Sequence, residues 1–266
     1  MDLLPEIIKP LKLKKSQELI TLVGAGGKTA TMFMLAKELQ ALGKRVLVTT
    51  TTAIYQPKIK DYDQLLMGDL QDFLRKSKKT GPSEDFGEIV VWGKATDKNG
   101  KLQGISPEDI DKVWETKAFS WILVEGDGAK RKSIKAPKET EPVIPSKTTI
   151  LIGVIGMQVL GKPVQEQNVH RVEYFTKITE SQIGDPMDEA MLRRLILHKQ
   201  GLFKGKPGNA KAILLLNQCE EETVRNRAID LGERLSISYL VTSIQKRKVY
   251  GAKIINEVEK INEVEK

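Results

Sequence analysis

The sequence predicts an α/β fold in which helices cover both faces of a doubly wound, mostly parallel β-sheet. Short apolar runs alternate along the chain with longer segments whose apolar residues recur at helical spacing. Alternation of strands and helices is typical of parallel sheets, whose crossover connections are helical. The apolar runs predict strands at residues 19–23, 45–48, 88–92, 121–124, 149–155, 212–216 and 237–241.

Helices are predicted where helical spacing coincides with residues that favour helix ends. Glycine favours a helix C-terminus, while serine, aspartate and a first-turn proline favour an N-terminus. The predicted helices run from Lys28 to Gly43, from Ser106-Pro107 onward, from Asp185-Pro186 to about His198, and over residues 220–235.

The domain organisation follows from these elements. We expect a single α/β domain over residues 1–250, within which residues 55–120 form a candidate inserted subregion. Residues 251–266 carry the hexapeptide INEVEK twice and are expected to form a charged helical tail.

Composition narrows the function classes. The chain has 266 residues and a net charge of +8, which favours anionic partners, although a lysine-rich solvated surface explains the same charge. Its single cysteine and two histidines argue against an internal disulfide and a thiolate or histidine metal cluster. Aromatic residues are only 5%, so a nucleic-acid partner is not expected. No long apolar run or export signal is evident, so we expect a cytoplasmic protein without a membrane partner.

The strongest functional motif is Gly24-Ala25-Gly26-Gly27-Lys28-Thr29, between the first strand and the first long helix. Glycines allow a tight turn whose N–H groups point inward, and a phosphate held there also meets a helix N-terminus. Lys28 is expected to reach the terminal phosphates, and the Thr29 hydroxyl to ligate Mg²⁺. The sequence thus predicts a P-loop NTPase-like fold that binds ATP or GTP.

The loop departs from the usual P-loop pattern. Leu22 occupies the place of the first glycine, so the phosphate loop is two residues shorter. It is similar in length to the G-T-x-G-K-T loop of the Mur ligases. The alternative is a glycine-rich turn with a solvated Lys28.

An acidic pair, Glu125 and Asp127, follows the strand at residues 121–124. P-loop proteins place a carboxylate at such a strand end to hold Mg²⁺. We therefore expect Thr29 and Glu125 at the metal and a catalytic role for Lys28, Glu125 and Asp127. The alternative is a polar strand end that caps a loop.

Polar residues also follow two other strands. Thr50 and Thr51 end the second strand, and Asn217 closes the strand at residues 212–216. Ligands gather at the carboxyl ends of parallel strands, so these three side chains are expected to contact the nucleotide. Threonine is also simply a good strand residue.

Cationic residues after the acidic pair are further candidates for binding an anion. Lys130, Arg131 and Lys135 lie in a glycine- and proline-rich loop, and His170-Arg171 lies in a later polar segment. Guanidinium and ammonium groups bind phosphates and carboxylates. A solvated loop and a structural histidine are the alternatives.

Four segments together resemble the YqeC family, described as accessory proteins of selenium-dependent molybdenum hydroxylases. They are VGAGGKTATMFMLAKEL, VLVTTTTAIY, VEGDGAKRKSIKAPKETEPVIP and IGMQVLGKPVQEQNVHRVEYF. The resemblance implies a P-loop protein that matures such an enzyme or its pterin cofactor. It singles out Lys28, Thr29, Glu125, Asp127, Lys130, His170 and Arg171.

Three functions remain open from the sequence. The first is a Mg²⁺-dependent ATP- or GTP-using maturation factor for a molybdenum hydroxylase. The second is an ATP-dependent ligase or phosphoryl-transfer enzyme with a small anionic substrate. The third is a nucleotide-switched chaperone or adaptor that does not hydrolyse its nucleotide.

Overall fold

A computed structural model describes residues 7–11, 17–78 and 87–255 of the chain. Its strands are β1 (Glu18–Gly24), β2 (Arg45–Thr50), β3 (Ile54–Tyr55), β4 (Gln64–Met67), β5 (Glu88–Gly93), β6 (Lys101–Leu102), β7 (Trp121–Glu125), β8 (Ile134–Lys135), β9 (Ile150–Gly156), β10 (Val169–His170), β11 (Lys211–Asn217), β12 (Ser238–Ser243) and β13 (Lys248–Lys253). Its α-helices are α1 (Ile8–Leu11), α2 (Lys28–Ala41), α3 (Leu70–Lys76), α4 (Pro107–Glu115), α5 (Val172–Thr179), α6 (Glu189–Leu197) and α7 (Glu222–Glu233).

The described residues form a nine-stranded sheet in the order β13-β12-β11-β9-β1-β7-β2-β5-β4. Neighbouring strands are parallel except for β12 and β13, which are antiparallel. The chain fills the sheet on one side of β1 and then on the other, so the carboxyl end of β1 lies at a topological switch point. The predicted α/β fold with a mostly parallel sheet is confirmed.

Helices pack on both faces of the sheet because successive strand residues point to opposite sides. On β1, Ile20 packs in the cluster that contains α2, whereas Leu19 packs in the cluster that contains α3 and α4. A third cluster joins α5, α6 and α7 to β11 and β12. The described residues contain no helix long and apolar enough to cross a bilayer.

The unit formed by β1, α2 and β2 follows the prediction closely. Gly43 has φ 73°, a left-handed conformation that glycine adopts without steric cost. Its N–H donates to the carbonyl of Gln40 at 2.9 Å, and the Lys44 N–H donates to that of Leu39 at 3.0 Å. These bonds satisfy the last carbonyls of α2 and end the helix.

The helix predicted from Asp185-Pro186 begins later than expected. It starts at Glu189, because the Asp188 carboxylate accepts the Met191 N–H at 2.8 Å and acts as the N-cap. Pro186 instead forms an isolated bridge with Pro163.

The carboxyl-terminal part of the chain also differs from the prediction. β12 is not the last strand, since β13 pairs with it in antiparallel fashion. Residues 251–253, assigned to the helical tail, belong to β13. Residues 254–255 are in neither a helix nor a strand, and the rest of that predicted tail, residues 256–266, lies outside the described residues.

Two further segments contain more regular structure than the sequence suggested. Residues 55–120, the candidate inserted subregion, contribute the unpredicted strand β4 to the main sheet beside the predicted β5, and they also form the unpredicted helix α3. Helix α5 was not predicted; it follows the left-handed residue Arg171, with φ 65°, and has no side-chain N-cap.

Candidate functional site

The loop at residues 24–29 lies at the carboxyl end of β1, in the middle of the sheet. Gly24 and Gly26 have φ 91° and 94°. A Cβ atom on Gly24 would lie 2.3 Å from the Val154 carbonyl oxygen, and one on Gly26 would lie 2.2 Å from the Gly156 nitrogen. Both positions therefore require glycine, which lets the loop pack directly against β9.

The first amides of the loop are bound within the protein. The Gly24 N–H donates to Asp127 Oδ2 at 3.1 Å, Ala25 to the Val154 carbonyl at 2.9 Å, and Gly26 to the Lys132 carbonyl at 3.1 Å. The amides in the first turn of α2 have, by helix geometry, no carbonyl one turn earlier in the helix. The donors that this loop can offer an anion therefore begin around Gly27.

Lys28 lies beside both predicted carboxylates. Its side chain is only 3% exposed, and its Nζ lies 3.1 Å from Asp127 Oδ1 and 3.6 Å from Glu125 Oε1. It also donates to the Gly24 carbonyl at 2.6 Å. Burial lowers the pKa of Lys28, but the carboxylates of Asp127 and Glu125 outweigh burial and raise that pKa above its ordinary value. Lys28 is thus a buried ammonium group at neutral pH.

Thr29 and Glu125 form the second part of the site. The Thr29 hydroxyl donates to Glu125 Oε2 at 2.6 Å. Burial raises the pKa of Glu125, and the charge of Lys28 partly offsets that rise.

The donor set fits a hard cation. The described residues contain no group of three or more His, Cys, Asp or Glu side chains suited to a metal. Mg²⁺, however, commonly uses one or two carboxylates together with phosphate oxygens and water. Thr29 and Glu125 supply a hydroxyl and a carboxylate. The buried Asp127 Oδ1 is ion-paired with Lys28 at 3.1 Å and accepts no hydrogen bond of good geometry within the described residues.

A buried lysine that sequence reasoning placed elsewhere completes the surroundings of Asp127. Lys135 was expected to bind an anionic ligand, but its side chain is 1% exposed and bound by protein groups. Its Nζ lies 2.9 Å from Asp127 Oδ2 and 2.7 Å from Glu141 Oε2, and it donates to the Gly128 carbonyl at 2.7 Å. Glu141 was not singled out from the sequence.

Arg171 is a second cation in contact with Glu141. Its guanidinium pairs with both carboxylate oxygens, with Nη2 2.6 Å from Oε1. Burial raises the pKa of Glu141, but hydrogen bonds from Arg171 and Lys135 outweigh it and lower that pKa from 4.5 to about 2. Glu141 is therefore ionised at neutral pH.

Comparison with known proteins assigns the family. The family model described as YqeC protein matches residues 20–173. The chain belongs to the YqeC family. It is 34% identical over 226 residues to the uncharacterized protein YqeC of Escherichia coli (strain K12), covering 84% of this chain and 86% of that protein. The resemblance predicted from the sequence is confirmed.

A similarity to one solved structure is more distant than the similarity to the Escherichia coli protein. A crystal structure of FtsY from Mycoplasma mycoides has a TM-score of 0.30 and 13% sequence identity to this YqeC-family chain. The alignment covers 85% of this chain and 52% of the FtsY chain, about half of its length.

The remaining predicted cationic residues are Lys130, Arg131 and His170. Lys130 and Arg131 are exposed and have left-handed φ values of 46° and 59°. The Arg131 guanidinium lies over the Tyr55 ring, 4.4 Å from its centroid. Burial, followed by the charges of Lys135, Arg171 and Lys130, lowers the pKa of His170 to about 4. His170 is therefore neutral at pH 7, in a positive environment.

The side chains of Thr50, Thr51 and Asn217 form hydrogen bonds with backbone groups of other segments. The Thr50 hydroxyl donates to the Glu125 carbonyl at 3.0 Å, and the Thr51 hydroxyl to the Val143 carbonyl at 2.7 Å. Asn217 donates to the Gly26 carbonyl at 2.7 Å, and its side-chain oxygen accepts the Ile244 N–H at 3.0 Å. The Asn217 contact braces the phosphate loop, whereas Thr50 and Thr51 bind backbone carbonyls outside it. A role in binding nucleotide remains a prediction for all three residues.

Proposed function

We propose that this YqeC-family protein binds a nucleoside triphosphate, ATP or GTP, together with Mg²⁺ at residues 24–29. The observation that carries the proposal is the convergence of Lys28, Thr29, Glu125 and Asp127 at the end of β1. Lys28 contacts both carboxylates, and Thr29 contacts Glu125, although the acidic residues lie about a hundred positions further along the chain. A glycine turn with a solvated lysine does not require these contacts.

The residues have distinct tasks in this proposal. The free amides at the start of α2 and the ammonium of Lys28 bind the phosphates. Thr29 and Glu125 hold Mg²⁺, which neutralises phosphate charge when bound. Asp127 fixes the start of the loop through the Gly24 N–H. Phosphoryl transfer depends mainly on positioning and charge stabilisation, so few side chains are needed.

The biological role that we propose is maturation of a selenium-dependent molybdenum hydroxylase or its cofactor. This is the role that the resemblance to the YqeC family implies, and a site suited to nucleotide use is compatible with it. Nucleotide hydrolysis would drive insertion or modification of the cofactor.

Calorimetric titration with ATP and GTP, with and without Mg²⁺, tests the site, with phosphate release followed in parallel. We expect Mg²⁺-dependent binding of one nucleotide with a Kd of order 1–100 μM. Lys28→Met is expected to weaken binding about 100-fold, because a charge-assisted contact to phosphate contributes roughly 1.5–3 kcal/mol. Thr29→Ala is expected to abolish the Mg²⁺ dependence.

Lys206→Met serves as the matched control. Its ammonium donates to the carbonyls of Pro207 and Ala210 at 3.1 and 2.8 Å. Thermal unfolding of each variant separates loss of binding from loss of fold, since Lys28 is itself paired with buried carboxylates. A folded Lys28→Met protein with wild-type affinity refutes the phosphate-loop assignment.

A second candidate is a ligase or phosphoryl-transfer enzyme with a small anionic substrate. The observation that favours it is the positive environment around His170, near which the Lys130 ammonium is exposed. Such an enzyme forms a product in addition to nucleoside diphosphate and phosphate, and mass spectrometry of reactions with candidate carboxylates detects it. Tight nucleotide binding with negligible turnover would instead indicate a nucleotide switch.

A further inference from the structure

Charged side chains of alternating sign run from the phosphate loop to the start of α5. We call this row the charge chain; its members, in order of contact, are Glu125, Lys28, Asp127, Lys135, Glu141 and Arg171. The charge chain contains three cationic and three anionic side chains, so their formal charges cancel without a ligand. A triphosphate brings additional negative charge and competes with Asp127 and Glu125 for the ammonium group of Lys28.

Asp127 is the carboxylate most affected by such a movement. Its side chain is 2% exposed, and Lys28 and Lys135 lie on its two oxygens at 3.1 and 2.9 Å. A buried carboxylate that loses its only cation is strongly destabilised. With Lys135 in place, Asp127 keeps one cation when Lys28 leaves. Without Lys135, the described residues leave Asp127 with Lys28 alone within ion-pair distance.

Lys135 itself is not available to a ligand. An ammonium group has three N–H donors. Lys135 donates to Glu141 Oε2 and to the Gly128 carbonyl, each at 2.7 Å, and its Nζ forms an ion pair with Asp127 Oδ2 at 2.9 Å. Any effect of Lys135 on an anion at residues 24–29 therefore passes through Asp127.

We infer that Lys135 is a positioning residue for triphosphate binding: it holds the charge of Asp127 and thereby frees Lys28 to move to the phosphates. This inference rests on the proposed function, because it concerns nucleotide bound at the same loop. It assigns the two buried lysines different tasks, one at the phosphates and one at the carboxylate.

A double-mutant cycle tests the inference. Affinities for Mg·ATP and Mg·GTP are measured by calorimetry for the full-length wild type, Lys135→Met, Asp127→Asn and the double variant. We expect Lys135→Met to weaken binding about tenfold in the wild-type background, since Asp127 then retains Lys28. In the Asp127→Asn background the same substitution should change affinity less than about twofold, because the charge that holds Lys28 is gone.

A merely structural role for Lys135 predicts a different pattern. If Lys135 only supports the fold, its loss weakens binding equally in both backgrounds, and that result overturns the inference. No effect of Lys135→Met on affinity overturns it as well. Lys206→Met, which removes a lysine bound to remote carbonyls, should keep wild-type affinity.

Two further cases are a Lys135→Met variant that does not fold and a wild type that does not bind nucleotide. If Lys135→Met does not fold, the variant that combines Lys135→Met with Glu141→Gln replaces it, because this variant loses one cation and one anion together. It should show the same tenfold loss of nucleotide affinity, and adding Asp127→Asn should again suppress that loss. If the wild type binds neither nucleotide, the proposed function fails and the inference fails with it. Wild-type binding with equal losses in both backgrounds refutes the inference alone.

Discussion

Replacing Glu141 with glutamine should lower the free energy of unfolding at neutral pH. It should also make that free energy fall less steeply as the pH is lowered. Glutamine resembles the protonated form of glutamate, so the substitution removes the charge while keeping the shape. The Glu141 side chain is 12% exposed and contacts Lys135 and Arg171. These cations hold its pKa at about 2 in the folded protein, against 4.5 for the ordinary group.

The size and sign of the effect follow from that difference. At roughly 1.4 kcal/mol per pKa unit, a fall from 4.5 to about 2 corresponds to about 3 kcal/mol. Because the folded-state pKa is lowered, this stability is fully present above pH 4.5 and is lost as the pH falls towards 2. Glu141→Gln should therefore unfold about 3 kcal/mol more easily at pH 7, and its deficit should vanish near pH 2.

Urea unfolding of wild type and variant at pH 7, 5, 4 and 3 measures this difference directly. Other carboxylates titrate in both proteins and cancel in the comparison. Glu139→Gln is the matched control, since that exposed carboxylate lies two residues away and accepts the Tyr174 hydroxyl; its curve should follow wild type. Parallel wild-type and Glu141→Gln stabilities from pH 7 to 3 would refute the reasoning.

Two further predictions concern the phosphate loop and the cysteine. Gly26→Ala should lower stability by at least about 3 kcal/mol, and Tm by roughly 6 °C or more, because its Cβ would lie 2.2 Å from the Gly156 nitrogen at φ 94°. Gly100→Ala, at φ 71° with nothing within 4 Å of its Cβ, should cost only about 1–2 kcal/mol; equal melting shifts would contradict the packing argument. Burial raises the pKa of Cys219 to about 12, so iodoacetamide at pH 8 should alkylate this cysteine in urea but not in the native protein, as mass spectrometry can show.

Local patterns were sufficient to predict most of the sheet and the centre of the site. An apolar run followed by glycines and a helical pattern identified β1, the phosphate loop and α2. The P-loop pattern, which places a carboxylate at the end of an apolar strand, predicted Glu125 and Asp127 beside the loop, and the structure brings both carboxylates to Lys28.

Features that depend on distant contacts were not predictable in the same way. Helix α5 follows Arg171 without a capping side chain, so no local signal marks its start. Glu141 meets Arg171 thirty residues away, and no spacing rule links the two. Lys135 looks like any other lysine of a charged loop, and only the fold shows that its ammonium is enclosed. Sequence reasoning therefore placed it at a ligand rather than at a carboxylate.

The two outermost strands of the main sheet have a consequence for association with other chains. A strand edge with unpaired N–H and C=O groups can template pairing with another chain and lead to aggregation. β4 is only four residues long, and β13 begins and ends with the exposed lysines Lys248 and Lys253. An irregularity between Val241 and Thr242 also interrupts the register of β12 with β13. Short, charged and twisted borders of this kind disfavour edge-to-edge stacking of copies at high concentration.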